Sequence, residues 1–140
     1  GTGNVSYDPA NHEHMVITRA DKVARIANDI PPAEILGEKS GKVLVVGWGG
    51  TFGAIAAAVE ALQARGASVS HVHLTHLNPF PKNFKEVLES FEKVIVPELN
   101  LGHLIKIIRS EFVNDVVGYN KVHGKPFTVS EIITKIEELL

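Results

Sequence analysis

The sequence predicts a three-layer α/β/α domain on an open, mainly parallel sheet, with a helical extension before it. Three observations carry this reading. Short β-branched apolar runs recur at 43–46, 69–74, 94–96 and 116–117. Between them lie segments with helical spacing, and that alternation of strand and helix is the sequence mark of parallel strands joined by crossover helices. A chain of 140 residues that is 44% hydrophobic is long enough for one buried core and short for two.

The elements follow in order. Asp8-Pro9 opens a helix, since Asp accepts from free first-turn amides and Pro at the first helical position loses no needed donor. It is expected to run to about Asn28, with Val16, Ala20, Val23, Ala24 and Ala27 as an apolar stripe lying across a surface. Ile30-Pro31-Pro32 ends it, and a short extended piece is expected around 34–36. The extension therefore spans 1–32 and the α/β domain 33–140. Within the domain, three sets of residues each mark one buried helical face: Phe52, Ile55, Val59 and Leu62; Phe84, Val87, Leu88 and Phe91; and Leu101, Leu104, Ile105, Ile108 and Phe112. Thr128-Val-Ser-Glu131 is a capping box, and Ile132, Ile133, Ile136 and Leu140 give the last helix its apolar face.

Composition removes several function classes. Lys and Arg number 14 against 16 Asp and Glu, so no basic field favours nucleic acid. Cysteine is absent, which removes disulfides, thiolate nucleophiles and any Cys-held iron–sulfur or zinc site from this chain. No apolar run approaches the ~20 residues of a bilayer span, and no secretory signal opens the chain, so a cytoplasmic location is expected. The Gly-Thr-Gly-Asn opening reads as a loop entered midway in a longer protein.

Four motifs stand at positions where chemistry is usually found. Gly47-Trp-Gly-Gly-Thr-Phe-Gly53 joins a strand to a helix, where Gly47, Gly49, Gly50 and Thr51 are the candidates to hold an anion on backbone amides. The spacing fits neither the dinucleotide fingerprint nor a P-loop. A tight turn with close helix packing by Gly53, Ala54 and residues 56–58 is therefore favoured. His12 and His14 lie two apart on a helix and point to different faces. His71 and His73 share a strand face, but no carboxylate stands nearby, and a helix-covered or intersubunit hydrogen-bonding role is favoured over a metal. His76-Leu-Asn-Pro-Phe-Pro81 and Pro97-Glu-Leu-Asn-Leu-Gly-His103 both follow strands at the edge where open sheets bind ligands or partners. His76, Asn78, Pro79, Phe80, Glu98, Asn100 and His103 are the candidates for subunit contact, with Asn100 also placed to cap the next helix. No catalytic or metal-binding set is apparent.

Five blocks in order carry a family resemblance: Gly3-Asn-Val-Ser-Tyr-Asp-Pro-Ala-Asn-His-Glu-His-Met15, Val46-Gly-Trp-Gly-Gly-Thr-Phe-Gly53, His73-Leu-Thr-His-Leu-Asn-Pro-Phe-Pro81, Pro97-Glu-Leu-Asn-Leu-Gly102 and Tyr119-Asn-Lys-Val-His-Gly-Lys-Pro-Phe127. Together they resemble the C-terminal domain of the alpha subunit of 2-oxoacid:ferredoxin oxidoreductases, most closely those acting on 2-oxoglutarate. The resemblance implies a fold similar to the transketolase C-terminal domain, with five strands, one of them antiparallel near 34–36. It also implies a complex that turns a 2-oxoacid, coenzyme A and oxidised ferredoxin into acyl-CoA, carbon dioxide and reduced ferredoxin. Thiamine diphosphate, magnesium and the iron–sulfur cluster would lie outside this chain, in other domains and the beta subunit. The chain itself would be a non-catalytic assembly domain, inactive in isolation, whose partners are the rest of the alpha subunit and the beta subunit. His103 departs from the resemblance, which leads us to expect Gln there. The rival reading is an autonomous module binding a nucleotide or coenzyme A phosphate at the turn from Gly47 to Gly53.

Overall fold

The computed structural model describes residues 3–112 and 115–140; the first two residues of the expected extension lie outside that range. Helix α1 spans Pro9–Arg25 and passes into a 3-10 turn over Ile26–Asn28. The domain then runs β1 (Ile35–Leu36), β2 (Gly41–Trp48), α2 (Phe52–Gln63), β3 (Val69–Leu74), α3 (Phe84–Glu89), β4 (Phe91–Glu98), α4 (His103–Glu111), β5 (Val116–Asn120) and α5 (Val129–Glu137). The strands form one sheet in the order β1-β3-β2-β4-β5. Four are mutually parallel, while β1 is antiparallel to β3 through Ile35↔Val72 and Leu36↔His71. The α/β/α architecture on a mainly parallel sheet expected from the sequence pattern is found, as are the five strands, one of them antiparallel, that the family resemblance implies.

Strand alternation divides the core into two layers. Val43 and Val45 point into one layer, where they meet Ile55, Val59 and Leu62 of α2 and Ile132 and Ile136 of α5. Leu44 and Val46 point into the other, against Phe84 and Leu88 of α3 and Leu104 and Ile108 of α4. All four strand residues are 0% exposed, which is why this run lacks the polar alternation of a one-sided strand. Truncating one of them, as in Leu44→Ala, removes contacts in a layer that cannot refill and costs about 2–5 kcal/mol.

The chain leaves β2 for β3 on one side and returns past β2 to β4 on the other. The carboxyl ends of β2 and β4 are therefore where strand order reverses, the usual place for a functional crevice in open sheets.

Several boundaries differ from the sequence expectation. Phe91 opens β4 and pairs with Gly41 instead of ending α3, because α3 closes at Ser90. Leu101 lies outside α4 and is 69% exposed: Gly102, at φ 79, is left-handed, so the helix starts one residue later. Phe52, Leu140 and the stripe residues Val16 and Val23 are also exposed rather than buried. Helix α1 buries no residue at all. Its Ala20, Val23 and Ala24, with Ala27 of the 3-10 turn, overlook an open groove of about 640 Å³ whose far wall includes Phe80 and Phe112. Among the described residues, no helix is long and apolar enough to cross a membrane.

Candidate functional site

The carboxyl edge of the sheet is assembled by three turns. In the first, after β2, the Thr51 side chain accepts from the Trp48 amide at 3.2 Å and donates to the Trp48 carbonyl at 2.8 Å, closing the turn on itself. Gly49 takes φ 57 in open space, the left-handed conformation such a turn requires. The close approach is made by Gly47, not by Gly53. A Cβ on Gly47 would stand 2.8 Å from Ile55 Cδ1, 2.9 Å from His73 Nδ1 and 3.0 Å from His71 Nε2, whereas nothing lies within 4 Å of one on Gly53. Ala54 and Ala58 pack inward, while Gly53 and Ala57 are exposed. Of the four anion candidates, Gly47 and Thr51 are thus engaged internally, and Gly49 and Gly50 face solvent.

The bare Cα of Gly47 makes room for the histidine pair of β3. His71 and His73 lie on the face toward α2 with ring centroids 5.6 Å apart, and Phe52 covers both at 5.6 and 5.1 Å. His71 is 0% exposed, and neither of its ring nitrogens finds a hydrogen-bond partner. The helix-covered reading holds among the described residues; for His71 the hydrogen-bonding role finds no partner among them. Burial pushes the His71 imidazole down to about 4, reinforced by the neighbouring His73, and burial lowers His73 against the opposing effect of the Gly49 backbone. Both rings are neutral near pH 7. His73 also reaches a cleft of about 440 Å³, bounded by Pro32, Glu34, Leu36, Phe52 and Thr75.

After β3, His76 and Asn78 are exposed, and His76 Nδ1 lies 3.0 Å from Thr75 Oγ1. The Asn78-Pro79 bond is cis, and Pro79 is half-buried. Phe80 is a correction to the list of contact candidates. It is 7% exposed and packs against Phe84 and Phe112, at 5.1 and 5.4 Å between ring centroids, so its role is in the core. The same loop supplies a residue that the motif reading passed over. Asn83 accepts from the Ala33 amide at 2.8 Å and donates to the Ala33 carbonyl at 2.9 Å, tying the entrance of β1 to α3. Only the long-range pairing reveals it, since by position it reads as a helix cap.

Glu98, after β4, is the second correction. It is 0% exposed and accepts from Leu104 N at 2.8 Å, Ile105 N at 3.1 Å and Asn100 Nδ2 at 3.2 Å. A buried carboxylate at a helix amino terminus meets both the free amides and the favourable end of the dipole. Asn100 Oδ1 accepts from the Gly102 and His103 amides at 2.7 and 2.9 Å, completing the cap. Glu98 is therefore unavailable to a partner, and half-buried Asn100 largely so; His103 remains exposed beside them. Among the described residues, no group of three or more His, Cys, Asp or Glu side chains is placed to hold a metal.

The segment after β5 is held to α5 by Lys121. Its ammonium bonds both oxygens of Glu131 at 2.8 Å and the Pro126 carbonyl at 2.9 Å. Glu131 and Thr128 form the expected capping box, and Lys121 with the Thr128 amide holds the Glu131 carboxyl down at about 2.

Comparison with known proteins agrees with this architecture. The family model for pyruvate:ferredoxin oxidoreductase core domain II matches residues 41–132, roughly two thirds of the chain. The 2-oxoglutarate oxidoreductase subunit KorA of Mycobacterium tuberculosis is 41% identical over 134 residues, covering 94% of this chain and 20% of that protein. The alpha subunit of 2-oxoacid:ferredoxin oxidoreductase 2 of Aeropyrum pernix is 30% identical, covering 99% of this chain and 22% of that protein. The chain thus spans about a fifth of these relatives. Among solved structures, 2-oxoglutarate:ferredoxin oxidoreductase from Magnetococcus marinus, with 2-oxoglutarate, coenzyme A and succinyl-CoA bound, superposes with a TM-score of 0.91. That match has 33% identity and covers 98% of this chain and 24% of the other. A split-gene transketolase shares the fold, with a TM-score of 0.58 over 79% of this chain and 42% of its own. By its sequence match and its sheet, this chain belongs to the pyruvate:ferredoxin oxidoreductase core domain II family.

Proposed function

We propose that this chain is the C-terminal assembly domain of the alpha subunit of a 2-oxoacid:ferredoxin oxidoreductase, with 2-oxoglutarate as the 2-oxoacid, and that it takes no chemical step itself. On this reading the complete complex converts the 2-oxoacid, coenzyme A and oxidised ferredoxin into acyl-CoA, carbon dioxide and reduced ferredoxin, and it works in the cytoplasm. Residues 1–32 form the extension that joins the domain 33–140 to the rest of the subunit. The observation that carries the proposal is the superposition on the Magnetococcus marinus enzyme over 98% of this chain.

The cofactors of such an enzyme do not fit the residues present here. Magnesium-bound diphosphate needs oxygen ligands, and among the described residues no cluster of acids or histidines is placed to hold a metal, while the acid that follows β4, Glu98, has its oxygens committed to Leu104, Ile105 and Asn100. An iron–sulfur cluster needs thiolates, and the chain has no cysteine. We assign those groups to the rest of the alpha subunit and the beta subunit. What this domain contributes is a rigid edge, with its turns locked from within by Thr51, Asn83, Glu98 and Asn100.

The test is co-purification of the alpha subunit, with and without this domain, alongside the beta subunit. Assembly should fail without it; full assembly and turnover in its absence would overturn the proposal. Calorimetry with coenzyme A, ATP and NAD addresses the rival at the Gly47 to Gly53 turn. Micromolar binding by the 140-residue chain would favour the rival instead.

A further inference from the structure

Of the eight large apolar side chains exposed in the described part of this domain, five gather at one edge of the sheet. Phe52, Leu99, Leu101, Val122 and Val129 are 47%, 41%, 69%, 59% and 37% exposed, and all sit at the carboxyl edge of the sheet or on the loops that continue it. The other three are Leu36, Ile107 and Leu140, at 44%, 40% and 39%. The register brings two of the turns side by side: Glu98 pairs with Asn120, and the Lys121 amide donates to the Glu98 carbonyl at 2.9 Å. Leu99 and Val122 therefore leave neighbouring strand ends together.

The Leu99–Leu101 tip differs from an ordinary surface loop in how it is held. Three hydrogen bonds reach the buried Glu98 carboxylate from below, two amides bond Asn100 Oδ1, and Gly102 is enclosed by Asn120 and Ile105 at 3.0 Å from where a Cβ would sit. Holding Leu101 and the exposed part of Leu99 in water on a rigid turn adds little to folding within this domain. It lowers the entropy lost when the same leucines are buried by a partner. A preordered apolar tip with polar neighbours, here Asn100 and His103, has the anatomy of an interface anchor.

We infer that Leu99 and Leu101 are the central anchor by which this domain docks on the remainder of its own longer polypeptide. The inference rests on the assembly reading and narrows it to one surface. The occupant follows from length. The Mycobacterium tuberculosis and Aeropyrum pernix relatives are about five times longer than the matching segment, and in the Magnetococcus marinus structure this unit is 24% of a chain in which its fold is kept at a TM-score of 0.91. Most of such a chain lies outside the unit and is tethered to it at high effective concentration, ahead of any separate protein.

The test uses the full-length alpha subunit assembled with its beta subunit. Ile107 on α4 is 40% exposed, matching Leu99 at 41%, and is the internal reference. In covalent solvent footprinting, Leu99 and Leu101 should be labelled about fivefold or more below Ile107, because the core of a docked surface excludes water. Equal labelling overturns the inference. A second arm compares Leu99→Asp with Leu101→Asp, made together, against Ile107→Asp in the same full chain. The paired change should expose the domain to limited proteolysis at its junction, and Ile107→Asp should not. If deleting the domain abolishes assembly while Leu99 and Leu101 stay open to solvent, the assembly reading stands and this surface is wrong. If deletion leaves assembly and turnover intact, both fall.

Discussion

The Glu98 carboxylate accepts the backbone amide of Leu104 at 2.8 Å with no solvent contact, so an acid at the end of β4 serves as the cap of the helix that follows it. This bond couples the sheet edge to α4 and sets the direction in which the chain leaves the strand.

Replacing Glu98 tests that coupling. Glu98→Gln keeps the shape but turns one acceptor into a donor facing the Ile105 amide. It should lower stability by roughly 2–3 kcal/mol, read as a shift of the urea midpoint at constant slope. A shift below ~0.5 kcal/mol, the scale of an ordinary surface change, would show that the buried bonds contribute little.

Gly47→Ala and Gly50→Ala form a second comparison. The first pushes a methyl into Ile55, His71 and His73 inside a packed layer, and overpacking of that kind costs about 1–3 kcal/mol. Nothing lies within 4 Å of a Cβ on Gly50, and its φ is not positive, so the second should stay within about 0.5 kcal/mol of the parent. Equal destabilisation in thermal melts would contradict the assignment of Gly47 as the close-contact glycine.

Acid should weaken the fold through His71. Its folded pKa, about 4, lies below the ordinary 6.5, so the unfolded chain binds the proton more readily. The folded state has its full advantage above pH 6.5 and loses it as pH falls from there toward 4. Between pH 7.5 and pH 5 this one group removes about 2 kcal/mol. Denaturation curves at the two pH values should show the loss, and His71→Leu should reduce it. Because neither His71 nitrogen has a partner, that variant should be as stable as the parent or more so at pH 7.5.

Lys121→Met separates the ion pair from the capping box. The Glu131 carboxyl, about 2 with Lys121 in place, should titrate nearer the ordinary carboxylate range in the variant, followed by carboxyl NMR shifts. A depressed carboxyl contributes stability above its unfolded pKa that disappears as pH falls toward its folded one, so the variant should lose less between pH 4.5 and pH 2. Thr128→Ala removes the cap hydroxyl and should cost about 1 kcal/mol.

Local chemistry written into short stretches of chain was legible without the structure. The hydrophobic periods placed the four parallel strands and the helices between them. Asp8-Pro9 and Thr128-Val-Ser-Glu131 marked helix starts that are found where expected, and the extended piece at 34–36 became the antiparallel β1. Each of these depends on contacts within one turn or one strand repeat, so a few residues suffice to encode it. The blocks at 46–53 and 97–102 marked the right edge of the sheet for the same reason.

The functions of particular side chains at that edge depended on residues distant in sequence. Glu98 reads as a candidate for subunit contact until α4 folds over it, and so does Phe80 until Phe84 and Phe112 enclose it. Gly47, rather than Gly53, proved to be the tight position because His71 and His73 arrive from another strand. Periodicity determined which elements exist and which faces are apolar, since those are properties of a segment. Tertiary structure alone decided which polar groups are committed inside and which apolar ones, Leu99 and Leu101 among them, stay exposed, because burial is a property of what packs against a residue and no stretch of sequence contains its own neighbours.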